Sequence, residues 1–442
     1  MKIITKSPGI IFICLFCFLQ GYGQKSQHVI LISIDGFRPD FYLDKKWPAP
    51  NLQMLRDKGV YAKGVQSVFP SVTYPSHTTI TTGAYPGKHG IYYNAPVDGK
   101  KGQWYWEEKY IRIPTLWDAV HDAGKTSGSV MWPVTVGAPI DYNFPVKRAD
   151  DDDSANQLES TMPFITPAGL LDEMQQETGK LTGADFNTDN TIDVTIGRMG
   201  IYIFKKFKPA LMALHFVTAD HQQHAHGREG AEVHNAVALI DSMIGLVVKS
   251  IKDAGLENSS TLIITGDHGF VNSTNTFSPN VLLAQHNLLN KDGKLNFYCS
   301  GGAAFLYVKD KNDQASICRV RSLLNGLPVD QKKAFSIIER NTLDRIGANP
   351  EVVIGLAMKK GYVAINNSKG ELMGTKKPGG SHGYYPDFDE IQTGFIAYGA
   401  GIGTHREIKT MGIKDVAPVI TKLLGLSFVA PDGILIPGIL EK

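Results

Sequence analysis

Three acidic residues stand at the ends of apolar runs that are predicted to be buried strands. They are Asp35, Asp220 and Asp267, and His224 and His268 follow the last two. Open α/β sheets bind their ligands beyond the carboxyl ends of their strands, so these side chains are expected to converge. One acid after a strand is commonly a helix cap, and one histidine is more often structural than a ligand. Three acids accompanied by histidines are better explained by a shared site.

A third histidine, His382, lies in a Gly-flanked turn just before another predicted strand. Three carboxylates and three imidazoles are a typical ligand set for two divalent cations, and this set favours zinc. No cysteine belongs to it, so a Cys-type structural zinc site is not expected. Two cations about 4 Å apart would stabilise both the attacking and the leaving oxygen of an in-line displacement at phosphorus. That chemistry requires a nucleophile.

The candidate nucleophile is Thr73, in the Thr-rich segment 69–83. Pro75 is a natural first residue of a helix and Gly83 a natural stop, so Thr73 is predicted just ahead of a helix N-terminus. Backbone N–H groups there favour an alkoxide and a phosphoryl group. A threonine hydroxyl is a poor nucleophile at neutral pH, but when it is bound to a metal it can lose its proton and attack. The alternative is that the segment only caps a helix.

Six short motifs occur in order through the core, from about residue 28 to residue 430. They are Asp35 after the first strand, Phe69-Pro70 with Thr73 and Pro75-Ser76-His77, Tyr85-Pro86-Gly87-Lys88-His89-Gly90-Ile91, Asp220 to His224, Asp267-His268-Gly269 and His382-Gly383. In their order and spacing they resemble the nucleotide pyrophosphatase/phosphodiesterase family of the alkaline phosphatase superfamily. Each motif alone is weak, but six in order are specific.

The resemblance implies a role for each matched side chain. It implies that Thr73 is the nucleophile and that Asn94 donates a hydrogen bond to a non-bridging phosphate oxygen, as an oxyanion-hole donor does. His221 and His226 lie close to two of the ligands but match no ligand position. The cation that activates the nucleophile would be bound by Asp35, Asp267, His268 and Thr73. The cation that receives the leaving oxygen and then the hydrolytic water would be bound by Asp220, His224 and His382.

The loop 129–137 distinguishes two kinds of enzyme. Monoesterases of the superfamily with a Thr nucleophile typically carry a Lys and an Arg there, which neutralise a dianionic phosphoryl group; this loop has neither and contains Trp132-Pro133. It resembles the diesterase pattern. Tyr74 stands where the family stacks an aromatic ring on a nucleobase. Tyr142 is a candidate for the opposite wall, with a core or rim position as the alternative.

Short β-branched runs alternate with helical patterns, which is typical of a mostly parallel sheet with helices on both faces. We therefore predict a doubly wound α/β domain over residues 24–442, alkaline-phosphatase-like by the resemblance. The segment from about 288 to 367 departs from the alternation and is predicted to be a small inserted cap. The predicted strands are 28–34, 127–131, 210–217, 261–265 and 393–398, and the predicted helices are 50–58, 114–123, 190–207, 233–251 and 414–424.

The N-terminus predicts export. Lys2 and Lys6 precede an apolar run, 10–19, that is too short for a lasting membrane span, and small residues follow at 21–23. We expect a secretory signal peptide over residues 1–23, no membrane span after its cleavage, and a secreted or periplasmic protein. Cys299 and Cys318 would then lie in an oxidising compartment, either as one disulfide or as a free pair.

The composition excludes several classes of protein. Of 442 residues, 43% are hydrophobic and 20% are charged, which does not fit a disordered or coiled-coil chain. Removal of Lys2 and Lys6 leaves equal numbers of basic and acidic residues, which argues against binding to a nucleic-acid duplex. A small-molecule substrate is the expected partner.

The sequence therefore predicts a two-zinc phosphodiesterase that attacks the α-phosphate of nucleotide-type diesters and pyrophosphates. Thr73 would form a phosphothreonine intermediate and a nucleoside 5′-monophosphate would be released. One alternative is an alkaline-phosphatase-like phosphomonoesterase or phosphonate hydrolase with the same metals. Another is a non-catalytic, metal-dependent binding protein. Whether the substrate is a nucleotide or a lipid head-group diester stays open.

Overall fold

The computed structural model describes residues 26–100, 102–149, 156–186, 191–289 and 295–441. The predicted signal peptide, 1–23, lies outside the described residues. The strands are β1 (His28–Ile34), β2 (Val60–Ala62), β3 (Val65–Gln66), β4 (Ser127–Val130), β5 (Tyr142–Phe144), β6 (Leu211–Phe216), β7 (Ser260–Gly266), β8 (Val271–Phe277), β9 (Leu295–Ser300), β10 (Ala303–Val308), β11 (Phe335–Glu339), β12 (Val352–Met358), β13 (Gly361–Ala364), β14 (Met373–Ser381), β15 (Phe395–Gly399), β16 (Arg406–Ile408) and β17 (Met411–Gly412).

The α-helices surround these strands. They are α1 (Asp40–Leu43), α2 (Pro50–Lys58), α3 (Thr73–Thr82), α4 (Pro86–His89), α5 (Leu116–Asp122), α6 (Gln157–Thr161), α7 (Leu170–Thr178), α8 (Ile192–Phe207), α9 (Thr218–His226), α10 (Ala231–Asp253), α11 (Pro279–Gln285), α12 (Gln314–Gly326), α13 (Val329–Lys332), α14 (Arg340–Arg345) and α15 (Val416–Leu424).

The central sheet has eight strands in the order β16-β2-β15-β7-β1-β6-β4-β5. The inner strand β1 pairs in parallel with β6 on one side and with β7 on the other. The strand β15 is antiparallel to both of its neighbours, β7 and β2. The sheet is therefore mostly parallel, as predicted.

Alternate residues of β1 pack into two hydrophobic layers. Ile30 and Ile32 lie in one layer together with α8 and α10, whereas Val29 and Leu31 lie in the other together with α5 and α15. A central parallel strand buries both faces, which is why β1 is an almost continuous apolar run rather than an alternating one. Helices on both faces confirm the predicted doubly wound α/β fold.

The longest helix, α10, is the one described helix that is long and apolar enough to cross a membrane by length and composition. Its apolar stripe includes Val233, Val237 and Ile240, and these side chains pack into the core against the sheet. An amphipathic core helix explains the same length and composition. The absence of a lasting membrane span stays a prediction.

The segment predicted as a cap contains a separate four-stranded antiparallel sheet, β11-β12-β10-β9, with its own hydrophobic cluster. The strand β13 also lies within this segment, but it pairs with β8, which precedes the predicted start of the cap. Cys299 lies in β9 and Cys318 in α12, and both are free thiols. Of the two states left open by the sequence, the structure has the unbonded one.

Candidate active site

The three predicted acids meet because the parallel strands that carry them end together. The register of β1 pairs Ile34 with Phe216 of β6 and with Gly266 of β7. Asp35 and Asp267 are the next residues after β1 and β7. Asp220 follows β6 in the first turn of α9. All three carboxylates therefore project from one edge of the sheet, as the strand-end argument predicts.

Asp35, Asp267 and His268 form a buried cluster. The Nε2 atom of His268 lies 3.3 Å from Oδ1 of Asp35 and 3.2 Å from Oδ2 of Asp267. The other oxygen of Asp267, Oδ1, accepts hydrogen bonds from the backbone N–H groups of Gly36 at 3.0 Å and His268 at 2.9 Å. One donor atom from each residue lies within 4.8 Å of the others, close enough to hold one metal ion.

A second cluster joins Asp220, His268 and His382, whose donor atoms also lie within 4.8 Å of one another. His224 reaches the same carboxylate, with its Nε2 atom 3.5 Å from Oδ1 of Asp220. The rings of His268 and His382 stack with centroids 3.7 Å apart. The structure therefore brings the six predicted carboxylate and imidazole ligands together and adds His268 to the second cluster.

Backbone carbonyl groups orient the three histidines. The Nδ1 atoms of His268, His382 and His224 lie 3.1, 3.0 and 3.3 Å from the carbonyl oxygens of Gly269, Ser71 and Gly380. A carbonyl oxygen only accepts hydrogen bonds, so each Nδ1 carries the hydrogen. A neutral ring then has its lone pair on Nε2. This is the usual arrangement of metal-ligating histidines.

The unpaired atoms of these side chains fit a pair of cations. Among the described residues no hydrogen-bond partner exists for buried Oδ1 of Asp35, Oδ1 of Asp220, Oδ2 of Asp267 or Nε2 of His268. Burial, with the nearby charges of Asp267 and Asp220, raises the pKa of Asp35 well above its usual range. Burial also raises the pKa of Asp220 to about 6 and lowers that of His268. A divalent cation would compensate both the missing partners and the crowded negative charge.

Thr73 is the first residue of α3 and is buried, 9% exposed. The helix starts two residues before Pro75, which is compatible with proline because the N–H groups of a first turn have no intrahelical acceptor. The backbone N–H of Tyr74 donates to Oδ1 of Asn94 at 3.0 Å. That bond fixes the amide and leaves the Asn94 NH2 group as its donor.

A cavity of about 280 Å³ opens onto this site, and its lining includes Thr73 and Asn94. Asp267 and His268 are completely buried beneath it. The other predicted site residues that line it are Asp35, Tyr74, Asp220, His224 and His382.

Tyr142 is not among the described residues that line the cavity, so the structure favours the alternative, a core or rim position. It lies in β5 and stacks on Phe207, with ring centroids 3.9 Å apart. Trp104 and Trp106 line the cavity instead. The ring of Tyr74 packs edge-on against both, with centroids 5.2 Å from Trp104 and 6.0 Å from Trp106. Their spacing of two residues places both rings on one side of an extended chain. This Trp-x-Trp pattern was the missed signal.

Two polar residues in the cavity lining were also missed. The loop 129–137 contains no Lys or Arg, but Arg148 reaches the cavity from the segment after β5. Its positive charge partly opposes the effect of burial, which raises the pKa of Tyr74. His215, in β6, also lines the cavity, and its Nε2 atom lies 3.3 Å from Oδ2 of Asp35.

The chain is similar to phosphodiesterases and nucleotide pyrophosphatases, both by a family model and by individual relatives. The family model described as type I phosphodiesterase/nucleotide pyrophosphatase matches residues 29–385. Human ectonucleotide pyrophosphatase/phosphodiesterase family member 5 is 25% identical over 92% of this chain and 76% of its own length. Venom phosphodiesterase 2 of Crotalus adamanteus is 24% identical over 91% of the chain, which spans only 46% of the venom protein.

Solved structures of similar proteins have the same fold. Human ectonucleotide pyrophosphatase/phosphodiesterase 5 superposes with a TM-score of 0.65 at 22% identity, over 92% of this chain and 97% of that one. An inactive threonine-to-alanine variant of the murine protein, in complex with AMP, superposes with a TM-score of 0.64 at 21% identity, over 91% and 96% of the two chains.

Proposed function

The chain belongs to the type I phosphodiesterase/nucleotide pyrophosphatase family, and on this premise we propose that it hydrolyses nucleotide-type phosphodiesters and pyrophosphates to release a nucleoside 5′-monophosphate. The family predicted from the six motifs is thereby confirmed. The observation that carries the proposed activity is the common cavity of Thr73, Asn94 and four of the six metal-binding side chains.

The donor set suits two divalent cations, of which zinc is the best match to mixed carboxylate and imidazole ligands. Asp35, Asp267 and His268 would hold one cation. Asp220, His224 and His382 would hold the other. When bound, the cations supply positive charge that favours the ionised hydroxyl of Thr73 and the departing oxygen.

Thr73 performs the displacement. Its Oγ1 atom bonds to the phosphorus as the bond between phosphorus and the leaving oxygen breaks, which gives a phosphothreonine whose phosphorus still carries the nucleoside, and the leaving oxygen takes up a proton. A water molecule then attacks the phosphorus, the bond to Oγ1 breaks, and the threonine hydroxyl regains its hydrogen. The Asn94 NH2 group donates to a non-bridging oxygen, and the N-terminus of α3 favours the negative charge.

The aromatic wall formed by Tyr74, Trp104 and Trp106 supports a nucleotide as the substrate. Stacking of a base on an aromatic ring stabilises a complex by about 1–3 kcal/mol and tolerates different bases. The similar murine protein was solved with AMP, the kind of product proposed here. The predicted N-terminal signal supports a secreted or periplasmic enzyme.

The test compares the wild type, Thr73→Ala and Thr82→Ala on bis(p-nitrophenyl) phosphate and p-nitrophenyl phosphate with zinc present. Thr82 is a matched control because it lies in the same helix and its hydroxyl donates within the helix to the carbonyl oxygen of Thr78. The wild type should prefer the diester, and Thr73→Ala should lose roughly four orders of magnitude in rate while Thr82→Ala keeps it. Preference for the monoester would instead establish the phosphomonoesterase alternative. Absence of turnover in the zinc-loaded wild type would leave the binding-protein alternative.

A further inference from the structure

His215 has the same environment as the predicted metal-binding histidines although it belongs to none of the six motifs. Its Nδ1 atom lies 3.1 Å from the carbonyl oxygen of Met131, so Nδ1 carries the hydrogen of the neutral ring. Its Nε2 atom is buried and has no hydrogen-bond partner among the described residues. The lone pair on Nε2 is therefore available in the interior of the site.

The backbone at Met131 supports this orientation. Met131 has a φ of 59°, which is uncommon for a residue with a side chain. It directly follows β4, and its N–H donates to the carbonyl oxygen of Phe144 at 2.7 Å. The left-handed conformation thus leaves the carbonyl group of Met131 facing β6, where it fixes the ring of His215.

Asp35 lies between two nitrogen atoms that lack hydrogens. Its Oδ1 atom is 3.3 Å from Nε2 of His268, and its Oδ2 atom is 3.3 Å from Nε2 of His215. A lone pair facing an oxygen of the ionised carboxylate is repulsive in a buried setting unless a positive charge is nearby. His215 belongs to neither three-residue cluster, although its Nε2 atom lies 3.3 Å from Oδ2 of Asp35.

We propose that His215 is a further nitrogen donor toward the cation held at Asp35, and that it increases the preference of this site for zinc over magnesium. Imidazole nitrogen suits zinc, whereas magnesium favours oxygen ligands. The inference rests on the metal dependence proposed above. It concerns binding of the metal and is measured without turnover.

The decisive variant is His215→Asn. The asparagine amide reaches about as far as Nδ1 and can still donate to the carbonyl oxygen of Met131, but it places no donor atom at the position of Nε2. The matched control is His28→Asn, because Nδ1 of His28 likewise lies 2.9 Å from a carbonyl oxygen, that of Pro209, at the opposite end of β1. His215→Gln is a second variant that offers an oxygen or nitrogen near the position of Nε2.

Zinc and magnesium dissociation constants are measured on the purified full chain by competition with a chromophoric chelator, and circular dichroism checks the fold. His215→Asn should weaken zinc binding about 10- to 100-fold, while magnesium binding changes less than about threefold. His28→Asn should match the wild type, and His215→Gln should lose zinc preference but remain folded.

Three results would overturn the inference. The first is a zinc affinity in His215→Asn equal to that of the wild type. The second is an equal loss of zinc affinity and magnesium affinity in that variant. The third is tighter zinc binding by the variant, which would mean that a positively charged His215 repels the metal. If the wild type holds two zinc ions and turns over substrate in any of these cases, the proposed function stands and only the role of His215 fails. A wild type that binds no zinc defeats both proposals.

Discussion

Replacement of Asp267 by asparagine should stabilise the metal-free protein and destabilise the zinc-loaded one relative to the wild type. In the metal-free protein Oδ2 of Asp267 is buried without a partner, 3.2 Å from the Nε2 lone pair of His268. Asp267→Asn can keep Oδ1 as the acceptor of its two backbone N–H groups. It then directs an NH2 group at Nε2 of His268, so a repulsive contact becomes a hydrogen bond.

The size of the stability change in the metal-free protein follows from the one atom that gains a hydrogen-bond partner, the atom at the position of Oδ2 of Asp267. An unsatisfied buried polar group costs about 1–3 kcal/mol. Unfolding entropy scales with chain length, so 1 kcal/mol changes the melting temperature by about 1 °C in a chain of this length. The melting temperature without metal should therefore rise by roughly 1–3 °C. Zinc at 100 times its dissociation constant adds about 2.7 kcal/mol to the wild type and little to the variant, so the order reverses.

The assay is thermal unfolding of both proteins in chelator and in zinc. Asp241→Asn is the control, because Asp241 is equally buried but both of its oxygens accept hydrogen bonds, from the backbone N–H groups of Leu52 and Asn51. That variant should lose about 1–3 kcal/mol with and without zinc. If Asp267→Asn unfolds at a lower temperature than the wild type in chelator, the carboxylate is not electrostatically strained and the argument for a cation at this position fails.

Four further outcomes are expected. A chelator should abolish activity and zinc restore it, and elemental analysis that finds clearly fewer than two metals per chain would contradict the two-site proposal. Asn94→Ala should lower kcat about 100- to 1,000-fold, since it removes a donor to the phosphate oxygen; a change in KM alone would assign Asn94 to ground-state binding. Trp104→Ala should raise KM for a nucleotide ester more than for bis(p-nitrophenyl) phosphate, and Tyr142→Ala should raise neither. The metal-free protein should become less stable as pH rises from about 4 through about 6, because the folded-state pKa of Asp220 lies above its ordinary value of 3.8. Zinc binding should weaken as pH falls through the same folded-state pKa, since the proton competes with the metal. A zinc affinity that does not change with pH would refute this.

The elements that carry the site were largely predictable because they are regular. The run 28–34 and the helix 50–58 have the predicted bounds, since each is punctuated by clear signals. The acids after β1 and β7 could be placed together because parallel strands end at a common edge. His382, which comes from a distant turn, was included because of its Gly-flanked turn and its place in the family's late His-Gly motif.

The walls of the cavity were harder to predict. Trp104 and Trp106 lie in an irregular segment, where their two-residue spacing indicates that the rings share one side of the chain but not which part of the protein that side faces. The sequence left two positions open for Tyr142 because an aromatic residue near a strand fits a cavity wall and a core contact equally well, and its stacking on Phe207 decides for the second. The donor role proposed for His215 depends on the carbonyl direction at Met131, which no side-chain pattern records.

His268 belongs to both three-residue clusters, yet its Nε2 atom has one lone pair. If two cations bind, they cannot share that lone pair, so a cation at Asp35 and Asp267 that takes it would leave the other cation to rely on Asp220, His224 and His382. The position between Asp35, Asp267 and His268 is the more enclosed of the two, because all three side chains are buried. Under the two-cation proposal, binding at one position would therefore affect binding at the other through this single ring.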